Sequence, residues 1–83
     1  MKIYTNEKYD IALGYVIRKR RKELKMTQED LAKAIGATRS SVSYYESGSR
    51  TMTASTFFEI CDAIRLSASE VVAQVKAIAN EQV

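Results

Sequence analysis

The 83-residue chain contains no histidine, no proline and one cysteine, Cys61. Without imidazole, the commonest general base near neutral pH is missing, and a His-bearing zinc site cannot form. A single thiol closes no internal disulfide and makes no metal-binding cluster. The only glycines are 14, 36 and 48, so there is no glycine-rich loop to cradle a phosphate. No enzymatic activity, metal or cofactor is therefore expected. No apolar run approaches the ~18 residues of a membrane span, and the opening MKIYTNEKYD lacks a hydrophobic signal core. A cytoplasmic protein is the expectation. The missing proline, scarce glycine and common Ala, Leu, Lys, Arg and Glu favour an all-α domain. Its size is near the lower limit for a core that stands without staples.

The net charge of +3 is unevenly spread. Residues 18–50 hold nine Lys or Arg against four acids, whereas residues 51–83 hold two against four. A basic middle segment is the electrostatic footprint of a polyanion partner. The run RKRRK at 18–22 winds right around a helix, so its five cations cannot share one surface. Arg18, Lys19 and Lys22 point to water, as a solvated face or toward a polyanion; Arg20 and Arg21 flank the apolar seam.

Hydrophobic spacing and cap signals predict five helices. Helix 1 covers about residues 9–24, with Leu13, Ile17 and Leu24 inward. Thr27 with Asp30 starts helix 2 as a capping box, Leu31, Ala32 and Ile35 face inward, and Gly36 ends it. Thr38 and Gly48 bound helix 3. Thr53 caps helix 4, about 54–64, in which Phe57, Ile60, Cys61 and Ile64 recur at i, i+3, i+4, i+7. Cys61 reads there as a small buried apolar residue. Ser67 with Glu70 opens helix 5, about 68–80, whose late stripe Val75, Ile78, Ala79 extends past what a compact domain needs.

Helix 3 has an unusual wet face. Arg39, Ser40, Ser43, Tyr44 and Ser47 fall within an arc of about 140° at ~100° per residue, leaving Val42 and Tyr45 for the core. Short hydroxyl side chains with one Arg and one Tyr suit hydrogen bonding to a closely approaching partner, such as base edges in a major groove. Tyr44 has two open readings: contact with a thymine methyl or phosphate, or a ring folded flat against helix 2.

Residues 13–72 resemble the lambda-repressor/Cro-like (Xre-type) helix-turn-helix family. The resemblance is carried by Leu13-Gly14, Ile17-Arg18, Arg21, Met26 through Ala32 (MTQEDLA), Ile35-Gly36, Thr38, Val42-Ser43, Tyr45-Glu46 and Gly48. Phe57, Ile60, Ala63-Ile64 and the Ser67-to-Val71 cap and helix continue it. It implies a compact five-helix lambda-repressor-like domain, with helices 2 and 3 as the helix-turn-helix and a long C-terminal helix. It further implies base readout by Arg39, Ser40, Ser43 and Tyr44, and phosphate contacts from Thr27, Gln28, Ser47, Ser49, Arg50 and Thr51. Arg21 and Glu46 match an ion pair bracing helix 1 against helix 3. Three positions depart from the family: Met52 where Pro is common, Arg65 where Gly is common, and Lys25 where Gly or Asn is frequent.

The expected organisation is an N-terminal arm or helix extension at 1–10, a helix-turn-helix domain at 11–72, and a C-terminal helix extension at 73–83. Val75, Ile78 and Ala79 are the expected dimer interface. The arm, with Ile3, Tyr4 and Tyr9, packs on a partner or the domain, or is a frayed tail. The expected function is a sequence-specific transcriptional regulator, a repressor binding a roughly palindromic operator in double-stranded DNA as a homodimer. Two alternatives stay open. One is an antitoxin that also represses its operon, with a protein partner on the arm or late helix 5. The other is a helical adaptor that binds no DNA.

Overall fold

A computed structural model describes residues 7–81; residues 1–6 and 82–83 lie outside that description. Five helices follow one another: α1 (Glu7–Glu23), α2 (Gln28–Ile35), α3 (Arg39–Ser47), α4 (Ala54–Ala63) and α5 (Ala68–Glu81). Strands are absent among the described residues. The core is built from Val16, Ile17, Leu31, Val42, Ile60, Ile64 and Val71, each no more than 2% exposed. Cys61 lies in the same cluster, and burial raises its thiol pKa above the ordinary value, with help from nearby Asp62.

The helix starts follow from local chemistry. Thr27 accepts from the Asp30 N–H while the Asp30 carboxylate accepts from the Thr27 N–H, at 3.0 and 2.9 Å. Ser67 and Glu70 exchange the same two bonds at 3.1 and 2.8 Å. The backbone N–H of each cap residue, with its hydroxyl, holds the acid's pKa below the usual carboxylate value. Thr38 and Thr53 cap α3 and α4 through the N–H groups of Ser41 and Thr56. At the other ends, Gly36 (φ 68°) and Gly48 (φ 79°) take the left-handed conformation that suits a residue without Cβ. Lys25 (φ 61°) and Arg65 (φ 60°) occupy the same region with side chains. These are two of the three positions at which the sequence departs from the family.

At the start of the chain, residues 7–10 are the first turn of α1, the helix extension that is one of the two expectations for them, with Glu7 and Asp10 at the positive end of the helix dipole. The arm's Ile3 and Tyr4 lie outside the described residues, whereas Tyr9 packs against the core. The longer α1 packs on α5 more extensively than any other pair of helices meets. Val75 and Ala79 are buried within one chain, Ala79 completely, and Ile78 is half-buried. They pack between α1 and α5, while Val75 and Ile78 each also line an open surface groove. α5 runs without interruption through residues 73–81 and closes the same core.

Candidate nucleic-acid interface

The interface is assembled around α3, and its foundation is polar. Arg21 and Glu46 are 6% and 8% exposed. Arg21 Nε donates to Glu46 Oε2 at 2.6 Å, and Nη2 donates to Glu46 Oε1 at 2.9 Å. The third edge of the guanidinium donates from Nη1 to the Met26 carbonyl at 2.7 Å. The bond to Glu46 raises the Arg21 pKa, burial opposes it, and the Glu46 charge adds to the rise. One fork thus joins the end of α1, the turn before α2 and the last turn of α3. Bidentate geometry fixes orientation as well as distance, which a lysine could not do.

Two further features hold α3 in place. Gln28, the first residue of α2, donates from Nε2 to Glu46 Oε1 at 3.1 Å. Its Oε1 accepts from Arg39 Nη1 at 3.4 Å, a long bond on the exposed side. Gly14 lets the backbones of α1 and α3 approach. A Cβ there would collide with the Glu46 carbonyl oxygen and lie 2.6 Å from that of Tyr45.

Outward from this base, Arg39, Ser40, Ser43, Tyr44 and Ser47 are all exposed, Tyr44 by 46%. Val42 is buried and Tyr45 packs against the core. Tyr44 has a partner that neither of its two readings included. Its ring carries the Arg50 guanidinium 4.5 Å from the centroid, and Arg50 Nη1 reaches Ser41 Oγ at 3.4 Å. Ser47 Oγ donates to the Tyr44 carbonyl at 3.1 Å and lies 2.7 Å from Ser49 Oγ, so the two loop serines are tied together. Ser49, Arg50 and Thr51 are exposed on the connection to α4. Thr27 spends its hydroxyl lone pair on the α2 cap and keeps its O–H free to donate.

Two arginines gain roles that sequence reading did not assign. Arg18, exposed, lines with Gln28, Ser43 and Ser47 a cleft of about 400 Å³ whose floor is Arg21 and Glu46. Its neighbour Lys19 pairs with Glu23, whereas Arg18 has no ion-pair partner among the described residues. Its helical angle placed it toward water and gave no sign that the cleft opens there. Arg20 donates from Nε to the Ile64 carbonyl at 2.9 Å and from Nη2 to that of Arg65 at 3.4 Å, capping the end of α4. Its place beside the apolar seam was the available signal. Among the described residues no group of three or more His, Cys, Asp or Glu could hold a metal, and no helix is long and apolar enough to cross a membrane.

Comparisons with known proteins agree with this architecture. No curated protein sequence matches the chain. The fold is shared with the clp gene regulator ClgR from Corynebacterium glutamicum, at 23% identity and TM-score 0.86 over 89% of this chain and 79% of that one. The restriction-modification controller protein C.AhdI from Aeromonas hydrophila is 26% identical at TM-score 0.70, over 74% of this chain and 92% of its own. A second controller protein, C.Esp1396I, was solved as a tetramer in complex with its natural 35 base-pair operator. It is 28% identical at TM-score 0.76, over 86% of this chain and 93% of its own. The sequence matches the profile of the family described as Helix-turn-helix over residues 17–71. The chain belongs to the lambda-repressor/Cro-like (Xre-type) helix-turn-helix family.

Proposed function

We propose that the protein is a sequence-specific DNA-binding transcriptional regulator that represses by occupying a roughly palindromic operator as a homodimer. The observation that carries this reading is the buried Arg21–Glu46 fork, which holds an exposed strip of hydroxyls, one arginine and one tyrosine at a fixed angle. The concentration of cations in residues 18–50 supports it, and so does the likeness to a controller protein solved on its operator.

In this reading α3 enters the major groove and α2 crosses the backbone. Arg39, in the first turn, can set a bidentate fork on guanine O6 and N7, worth ~1–3 kcal/mol of discrimination. Ser40 and Ser43 reach base edges, with Tyr44 beside them. Thr27, Gln28, Ser47, Ser49, Arg50 and Thr51 meet phosphates, and Arg18 adds a charge at the cleft between α1 and α3. Such contacts position the protein without reading sequence. A strip this small reads few bases, so a second copy supplies the rest, with recognition helices about 34–36 Å apart. Ala79 is sealed inside one chain, so the second copy meets the surface beside it. The exposed Phe58 and Val72 flank Phe57, which lines a groove with Tyr9, Leu13 and Val75.

Selection from random duplexes, followed by affinities at several salt concentrations, tests the proposal. The expected result is a repeated half-site with centres one helical turn apart, and log K falling by ~0.9 per phosphate neutralised as log salt rises. Failure of any sequence to be enriched would overturn the regulator reading. An enriched single half-site, bound by one chain in sedimentation, would overturn the dimer alone.

A further inference from the structure

The geometry of α3 points to a division of labour that its exposed arc conceals. We propose that Tyr44 is a positioning residue for Arg50 and does not read bases, and that Arg50 is a phosphate clamp on the strand opposite the one met by α2. The inference rests on the DNA-binding reading above. Its evidence is the stack itself. The Arg50 guanidinium lies 4.5 Å from the Tyr44 ring centroid, and Nη1 donates to Ser41 Oγ at 3.4 Å. Ser41 in turn accepts from the Thr38 hydroxyl at 3.0 Å, and its N–H donates to Thr38 Oγ1 at 3.1 Å. The guanidinium is thereby fixed to the N-terminal cap of α3, although its backbone lies in the loop beyond the helix.

Ser41 and Tyr44, three residues apart, form one flank of α3. Arg39 stands on the opposite flank, about 170° away at ~100° per residue, where Gln28 meets it. Ser40, Ser43 and Ser47 lie between. A helix in a major groove about 12 Å wide has a sugar-phosphate wall on each side. Gln28 at the start of α2 on one flank and the Arg50 guanidinium on the other match that cross-section, with the hydroxyl strip between. One face is covered by the ring and one N–H is engaged by Ser41, and the remaining N–H donors of Arg50 have no hydrogen-bond partner among the described residues. A planar fork with free edges suits a phosphodiester, which accepts in bidentate fashion. Holding the fork on a ring removes part of the ordering cost that a free arginine meets on binding. In the stack one face of the phenol is occupied by Arg50, so that face is closed to a base.

A double-mutant cycle on labelled duplex carrying the selected half-sites tests the proposal, with Tyr44→Ala, Arg50→Ala, the double variant and Tyr44→Phe. Both sites of change are exposed, so melting temperatures should stay close to that of the parent. Arg50→Ala is expected to weaken binding about tenfold on selected and random duplex alike, and to lower the salt slope by about one. Tyr44→Ala should reproduce most of that loss and the smaller slope, and the double variant should be no worse than Arg50→Ala. Tyr44→Phe keeps the ring and should rescue most of the Tyr44→Ala loss and restore the salt slope. The proposal is overturned if Tyr44→Phe alters preference at a base pair, if the two alanine losses multiply, or if Arg50→Ala changes sequence preference. A parent chain that binds no duplex would overturn the DNA-binding reading instead.

Discussion

α1 has two main neighbours, α5 and α3, and it joins them by different means. Its joint with α5 is apolar, with Ala12 and Val16 in one cluster with Val71, Val75 and Ala79. Its joint with α3 is a missing side chain at Gly14 and a charged fork from Arg21 to Glu46. Apolar contact is non-directional and scales with area, so the first joint can absorb small shifts without losing its sense. A bidentate ion pair between nearly buried groups has one geometry, and a backbone-to-backbone approach at a glycine has one spacing. The second joint therefore fixes the angle at which α3 stands out from the domain. Stability can come from either joint, but aim comes from the polar one.

The largest way to break this contrast is Glu46→Ala. It leaves the Arg21 guanidinium buried with only the Met26 carbonyl, and Gln28 loses its partner as well. Stranding one member of a buried pair costs ~3–5 kcal/mol, a large share of what a small domain has. Urea unfolding should show that loss, and the affinity of the folded fraction for operator DNA should fall with it. An unchanged midpoint would mean that the fork does not brace α3.

Gly14→Ala attacks the same joint without touching charge. Its Cβ meets carbonyl oxygens of Glu46 and Tyr45, which belong to backbone and cannot swing aside. Overpacking typically costs ~1–3 kcal/mol, and a backbone obstacle puts this change near the upper end. α3 must shift outward, so affinity should drop further than the unfolded fraction explains. Val16→Ala provides the contrast on the apolar side. Val16 is 2% exposed, and removing two methyl groups with some cavity left behind costs about 2 kcal/mol. Here the folded molecules should bind DNA as the parent does. Equal loss of affinity per folded molecule in the two variants would dissolve the distinction between the joints.

The same contrast governs what could be read from the sequence. Apolar periodicity and caps are local, so five helices and the left-handed glycines 36 and 48 were legible in the chain itself. Arg21 beside the core followed from its helical angle, and the pairing with Glu46 came from the family resemblance. Features that join distant segments left no local trace. The α1 start at Glu7 has no cap box to announce it, and the packing of α1 on α5 that puts Val75 and Ala79 in the core joins segments some sixty residues apart. Arg20 finds Ile64 across 44 positions, and Arg50 folds back on Tyr44 because the loop turns at Gly48. The roles of the exposed residues toward DNA depend on a partner whose shape is outside the chain.

The smallest effect concerns the turn on which the polar joint rests. Lys25 links α1 to α2, next to the Met26 carbonyl that Arg21 grips, and it is held at φ 61°. The turn is closed by Leu24 N–H to the Arg20 carbonyl, Lys25 N–H to that of Lys22 and Met26 N–H to that of Arg21, all near 3 Å. Each of these bonds survives a change of side chain at position 25. A residue with Cβ gives up ~1–2 kcal/mol in this region, whereas glycine loses only its extra freedom in the unfolded chain, ~0.5–1 kcal/mol. Lys25→Gly should therefore stabilise by up to about 1 kcal/mol, which in a domain of this size is a rise of ~4–8 °C in melting temperature. Arg65→Gly makes the same exchange at the end of α4, where the backbone carbonyl that Arg20 reaches is retained. If the polar joint sets aim and the turn only permits it, both variants melt higher while the base preference of the folded protein stays as it was. A shifted preference in Lys25→Gly, with none in Arg65→Gly, would instead make the strained turn part of the device that orients α3.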